Sequence, residues 1–315
     1  MKLGFLSACM PERSLEEVAA WAGEHGYEAL ELAAWPQLGD RPFTASHLRV
    51  ETGFDEREAE RVLTMLADHG LTLSALAFYD NNLHPDPAQR TAIHDHVRAC
   101  IDAAALLGGV PVGTFVGRDP SKSVAENLRE AESEVLPPLV DHAGERGVSL
   151  MIENCVMEGW TPDGTPGNLA YSPELWEWMF AQGLYLNFDP SHLLWLGIDP
   201  VAAVRPYVDR VVHAHAKDAE TFPEQRNSYG FFGRLAHREA DPWDMGWWRY
   251  RIPGLGQVDF AGYVDALYAG GFDGVLSVEH EDPVWGGTPE KVEQGLRIAH
   301  RNLRPLILEE EESAA

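Results

Sequence analysis

SLMIENC (149–155), LYLNFDPSH (184–192), RVVHAHAKD (210–218) and GVLSVEHED (274–282) are four apolar, β-type runs, and each reaches an acid or an imidazole at its end. The groups in question are Glu153, Asp189, His215 and Glu279. Side chains alternate across a strand, so Glu153 shares a face with Met151, Asp189 with Asn187, His215 with His213 and Glu279 with Ser277. The outer member of each pair belongs nearest the mouth. His213 then lies one layer deeper, as a hydrogen-bonded support rather than a ligand. Three carboxylates and one imidazole make an oxygen-rich set suited to a hard or borderline divalent cation. Without a cation, three carboxylates held close together would repel, and one or more would have to be neutral.

Outward from these runs the same alternation covers the whole chain. KLGFLSA (2–8) reads as a first strand, and SLEEVAAWAGEHG (14–26) as a helix capped by Ser14 with Glu17 closing a capping box. EALELAAW (28–35), LTLSALAFYD (71–80) and VPVGTFVG (110–117) are strands two to four. Helical patterns follow at 54–70, 89–108 and 123–147, the last with Pro137 and Pro138 expected to kink it. Helices over 173–183, 199–210, 258–271 and 288–308 complete eight strand–helix units. Eight such units predict a closed (β/α)₈ TIM barrel, whose chemistry sits at the carboxyl ends of the strands.

No linker divides the chain, so residues 1–308 are expected to form a single domain. The acidic end 309–315 reads as a frayed tail. The stretch 219–257, between strand seven and helix seven, is too long for a plain connection and reads as an irregular excursion. It is rich in aromatic residues, including Phe222, Trp247, Trp248 and Tyr250. These rings either line a carbohydrate site or pack the excursion onto the barrel or a neighbouring subunit.

Composition narrows the function. The chain has 315 residues, is 45% hydrophobic and carries a net charge of −26. So negative a surface repels phosphate backbones and argues against a nucleic-acid partner. No apolar run approaches the ~20 residues needed to span a bilayer, and MKLGFLSACMPERS lacks the apolar core of a signal peptide. Three cysteines without metal-ligand spacing fit a reduced, cytoplasmic setting. Gly254 and Gly256 in IPGLGQVDF suit a tight turn before a helix better than a phosphate loop.

Taken in order, LMIEN, NFDPSH, HAHAKD, IPGLGQVDF and GVLSVEHED resemble the xylose-isomerase-like TIM barrels, the sugar phosphate isomerases and epimerases. The resemblance spans essentially the whole chain. It implies that Glu153, Asp189, His215 and Glu279 bind one divalent ion, with Mn²⁺ first and Mg²⁺ or Co²⁺ as alternatives. It implies a small-molecule sugar or polyol as substrate, a homo-oligomer, and Glu153 and Glu279 as an acid/base pair. One would remove a proton beside a carbonyl, and the other would return it through an enediolate.

The resemblance also suggests substrate contacts at His192, Glu158 and Lys217. Lys217 either neutralises an oxyanion or pairs with Asp218. His84, Arg118 and Trp35 stand on loops at the mouth and are further candidates, with Asp119 an alternative partner for Arg118. The arginines of the excursion depart from the pattern of ketose epimerases, which puts a simple ketohexose in doubt. A lyase on the same scaffold is the alternative: an inosose or keto-sugar dehydratase, or a subunit that cleaves C-glycosides. A multi-metal DNA-repair nuclease shares the barrel, but the acidic charge argues against it.

Overall fold

The computed structural model describes residues 1–36, 45–51, 53–157, 166–233 and 245–308. Its elements run β1 (Lys2–Leu6), α1 (Leu15–Glu24), β2 (Ala29–Ala33), α2 (Glu56–Asp68), β3 (Thr72–Asn81), α3 (Pro87–Leu106) and β4 (Val112–Phe115). Next come α4 (Val124–Glu130), α5 (Leu136–Glu145), β5 (Leu150–Glu153), α6 (Pro173–Ala181), β6 (Tyr185–Phe188), α7 (Pro190–Leu196), α8 (Pro200–Val204) and β7 (Val211–Ala216). The chain ends with β8 (Asp218–Thr221), α9 (Pro223–Tyr229), β9 (Trp248–Arg251), α10 (Phe260–Ala269), β10 (Val275–Val278) and α11 (Pro289–Leu303).

Eight parallel strands close into a barrel in the order β1-β10-β7-β6-β5-β4-β3-β2, the expected (β/α)₈ fold. Helix starts follow local chemistry. The Ser14 hydroxyl accepts from the Glu17 N–H, and the Glu17 carboxylate accepts from the Ser14 N–H, so two otherwise orphaned donors are satisfied. Apolar faces pack inward from both layers. Leu30, Leu76, Ile152, Leu186 and Leu276 on the strands are fully buried, as are Val18, Val62, Val97 and Leu296 on the helices. Each such side chain contributes about 1.5–3 kcal/mol by leaving water.

Three local expectations change. Pro137 and Pro138 do not simply kink one helix. A wide π turn over Ala131–Val135 separates α4 from α5, and Pro137 stands in the first turn of α5, where the missing N–H costs no hydrogen bond. The helix expected at 199–210 is preceded by α7, which Asp189 caps through the Ser191 N–H and which ends at Gly197 with φ 76°. After α8 the chain tightens into 3₁₀ geometry over Arg205–Arg210.

The excursion is not irregular in its described parts. β8 and β9 pair antiparallel, with Asp218 opposite Arg251 and Ala219 opposite Tyr250. The tail 309–315 lies outside the described residues.

Register places the functional side chains. Glu153 on β5 is level with Asn187 on β6, Asn187 with His213 on β7, and His215 with Ser277 on β10. The alternating faces read from sequence therefore meet inside the barrel as layers near its carboxyl end.

Candidate metal centre

Glu153 closes β5, Asp189 follows β6, His215 lies near the end of β7 and Glu279 follows β10. One ligand atom from each lies within 4.8 Å of the others. His215 Nδ1 is 3.2 Å from Glu279 Oε2 and 3.6 Å from Glu153 Oε1. Glu153, Asp189 and His215 are buried, and the Glu279 side chain is 13% exposed.

Each side chain is aimed by a partner. The Asn154 amide clasps the Asp189 backbone, accepting from its N–H at 2.7 Å and donating to its carbonyl at 2.8 Å. The Ser191 N–H occupies Asp189 Oδ1, which leaves Oδ2 for the centre. His215 Nε2 faces Glu31 Oε2 at 2.9 Å. The Tyr79 hydroxyl donates to Glu31 Oε1 at 2.7 Å, and the Ser277 hydroxyl donates to Oε2 at 3.0 Å. Tyr79 in turn accepts from the Asn187 amide. His213 lies one layer deeper, between Asn187 Oδ1 and Ser74 Oγ.

Asp189 Oδ2 and His215 Nδ1 are buried and make no hydrogen bond of good geometry, but each has a charged neighbour, Lys217 Nζ at 3.2 Å from Oδ2 and Glu279 Oε2 at 3.2 Å from Nδ1. Both point at the same small volume. With two further carboxylates, they form a donor set that could hold a divalent ion. The Nε2 contact to Glu31 is the carboxylate–histidine arrangement that fixes the tautomer of a ligating imidazole.

Charge within the centre is dense. Burial alone would raise the Glu31 carboxyl, but the charges of His215 and His213 and the bonds from His215 and Tyr79 bring it down to about 2. Burial lowers His213 to about 4. Burial would also lower His215, yet Glu31 and Glu279 raise it well above the usual imidazole range. A divalent ion and the proton at His215 Nδ1 would therefore compete for one place.

Lys217 pairs with the centre and not with Asp218. Its ammonium is 2.7 Å from Glu279 Oε2, 3.0 Å from Glu281 Oε2 and 3.2 Å from Asp189 Oδ2. Despite burial, Lys217 and His215 hold Glu279 well below the usual carboxylate range. Burial pushes Glu281 up to about 7 against the pull of Lys217. Asp218 points the other way, because adjacent strand residues face opposite sides. Its carboxylate accepts from the N–H groups of Ala219, Gly254, Gly256 and Val258. The glycine-containing segment is thus a carboxylate-bound turn, with Asp259 capping α10.

His192 Nε2 lies 3.3 Å from Glu153 Oε1 and 3.5 Å from Asp189 Oδ2, while Nδ1 meets the Tyr250 hydroxyl at 2.9 Å. Arg118 donates from Nη1 to the Pro166 carbonyl. Asp119 is engaged with Ser121 and Lys122 and, through its backbone, Asn127. His84 Nδ1 accepts from the Asp86 N–H in a local turn. Trp35 packs on Phe78 and Tyr79. Glu158 lies outside the described residues.

The excursion's described aromatics divide. Trp247, Trp248 and Tyr250 are buried with Trp195 of α7 in a second small core, whereas Tyr229, Phe231 and Phe232 are exposed. Arg249 and Arg251 both bind Glu220, and Arg251 also binds Asp282. Sequence reasoning passed over Glu31 and Glu281. An acid within the apolar run ALELA was a signal for Glu31, and the two-residue spacing from Glu279 was one for Glu281. Tyr250 was read only as one of the excursion's aromatics.

The family model described as xylose isomerase-like TIM barrel matches residues 19–304, and the chain belongs to this family. It is 27% identical over 310 residues to the uncharacterized protein YfiH of Bacillus subtilis (strain 168), covering 90% of this chain and 93% of that one. It is 31% identical over 103 residues to inosose dehydratase of Clostridium botulinum (strain Eklund 17B / Type B), a match to 32% of each chain.

Among solved structures it resembles the probable 3-DHS dehydratase AsbF from Bacillus anthracis, with TM-score 0.67, 15% identity and coverage of 96% and 98%. D-Psicose 3-epimerase with D-tagatose from Clostridium cellulolyticum H10 gives TM-score 0.64, 14% identity and coverage of 97% and 99%. The IolI protein with a bound zinc atom gives TM-score 0.66, 19% identity and coverage of 97% and 98%. At these identities the structural likeness is one of fold. No described helix is long and apolar enough to cross a membrane.

Proposed function

We propose that this xylose isomerase-like barrel is a divalent-metal-dependent isomerase or epimerase of a sugar or polyol bearing a carbonyl. Glu153, Asp189, His215 and Glu279 hold one ion, with Mn²⁺ favoured over Mg²⁺ and Co²⁺. The observation that carries this reading is the convergence of four ligand atoms, from three carboxylates and one imidazole, within 4.8 Å. The bound ion would polarise the substrate carbonyl and offset the charge of a developing enediolate.

The chain's own groups then handle the proton. A carboxylate placed beside the carbon next to a carbonyl can act as base, and a second can act as acid. Glu153 and Glu279 take these roles, returning the proton to the same or the opposite face. His192 and Lys217 face the centre and contact substrate oxygens. Arg118, His84 and Trp35 stand on loops that follow β4, β3 and β2 and make the outer contacts.

A lyase outcome is the second reading, and Glu281 favours it. Burial raises its carboxyl to about 7, so a protonated acid can lie beside Lys217 and Glu279 at neutral pH. Such a group could protonate a hydroxyl leaving after the same enolisation. Both readings are tested by incubating Mn²⁺-loaded protein with free ketoses, 3-keto sugars and inososes and identifying the products. An epimer supports the first reading and an unsaturated ketone the second. Unchanged material across the panel contradicts both.

A further inference from the structure

Among its described residues, the inserted segment reaches the centre through Tyr250. Tyr250 on β9 is buried, and its hydroxyl lies 2.9 Å from His192 Nδ1. Its ring meets the His192 ring edge-on, at 5.3 Å between centroids. The Lys217 ammonium lies 4.6 Å from the centroid of the same ring, within cation–π range. Tyr250 therefore touches Lys217 and His192, two of the basic side chains that face the ligand carboxylates.

This placement is built, not incidental. Tyr250 pairs with Ala219 in the β8–β9 ladder. The Asp218 carboxylate gathers the N–H groups of Gly254, Gly256 and Val258, which fixes the chain just beyond β9. Trp248 stacks on Trp195 with centroids 4.4 Å apart and planes 4° from parallel. Trp195 and His192 both belong to α7, the helix capped by Asp189. The hairpin and α7 are thus joined twice, once through Trp248 and Trp195 and once through Tyr250 and His192.

We infer that Tyr250, held by the pairing of β8 and β9, is a positioning residue for His192. Its catalytic consequence rests on the proposed function, but the positioning itself does not. Glu153 Oε1, 3.3 Å from His192 Nε2, accepts hydrogen bonds only. His192 donates from Nε2 to that oxygen, and its Nδ1 meets the Tyr250 hydroxyl, which can donate or accept there. The carboxylate fixes the proton on Nε2, and the phenol holds the ring in one orientation. With phenylalanine at position 250 the partner of Nδ1 is gone, and the ring loses that restraint.

The test is ¹⁵N NMR of histidine-labelled protein loaded with Zn²⁺ alone, comparing the parent with Tyr250→Phe. His192→Asn assigns the resonance. The parent is expected to show a hydrogen-bonded Nδ1 at His192, and Tyr250→Phe to shift that resonance as the bond is lost, without loss of bound Zn²⁺. An unchanged His192 pattern in Tyr250→Phe overturns the inference. With any substrate found in the panel, Tyr250→Phe should lower kcat on the order of tenfold, as for other supporting residues, with little change in KM. An unchanged kcat also overturns it. Failure of the whole panel contradicts the proposed function but leaves the NMR comparison decisive for Tyr250.

Discussion

Glu31 and His215, 184 residues apart in sequence, meet inside the barrel with 2.9 Å between Oε2 and Nε2, and both side chains are fully buried. Glu31 takes one imidazole nitrogen and thereby turns the other, Nδ1, toward Glu153 and Glu279. Outer partners of this kind typically change metal affinity by about 10–100-fold when removed. Glu31→Gln keeps the shape and removes the charge. Its affinity for Mn²⁺, measured by titration calorimetry, should fall by about tenfold or more. An affinity within twofold of the parent would deny Glu31 that role.

Lys217 should affect stability and metal response in opposite senses. Its buried ammonium contacts Asp189, Glu279 and Glu281. Removing one member of a buried charge cluster leaves the others uncompensated, at a cost of about 3–5 kcal/mol. Lys217→Met should therefore melt well below the parent in chelator. A divalent ion would supply the missing charge, so the rise in Tm on adding Mn²⁺ should exceed the parent's. An equal or smaller rise would show that the ammonium does not balance the ligand carboxylates.

Asp218 should matter to the hairpin and not to metal affinity. Its two oxygens accept four backbone N–H groups. An asparagine has one acceptor oxygen, and each buried donor left unmade costs about 1–3 kcal/mol. Asp218→Asn should speed hydrogen exchange in 248–251 and 254–258 while the barrel strands stay protected. Gly256→Ala should act in the same direction, since a Cβ there would crowd the Asp218 carboxylate and the Ala219 carbonyl. Uniform protection in both variants would remove Asp218 as the anchor.

The barrel and the four converging side chains were legible because they depend on local rules. Period-two faces and strand ends locate Glu153, Asp189, His215 and Glu279 without any long-range information. Glu31 was missed because attention to strand ends passes over an acid in the middle of β2. Only barrel closure brings it to His215. The DPSHLLWLG stretch carried an N-cap, a first-turn proline and a terminal glycine, the signals of α7, yet its acid and histidine drew the reading toward chemistry. Tyr250 stood out only as one of several aromatics in the excursion. Its position depends on pairing between β8 and β9, which are far apart in sequence.

The most direct test of the central claim is proton NMR in D₂O. It would follow Mg²⁺-loaded protein with free ketoses, 3-keto sugars and inososes, alongside Glu153→Gln and Glu279→Gln. Deuterium should enter beside the carbonyl of at least one substrate, and both variants should lose that exchange by at least the ~10²-fold typical of a positioned acid or base. Exchange that persists in both variants, or none with any substrate despite bound metal, would contradict proton transfer by Glu153 and Glu279.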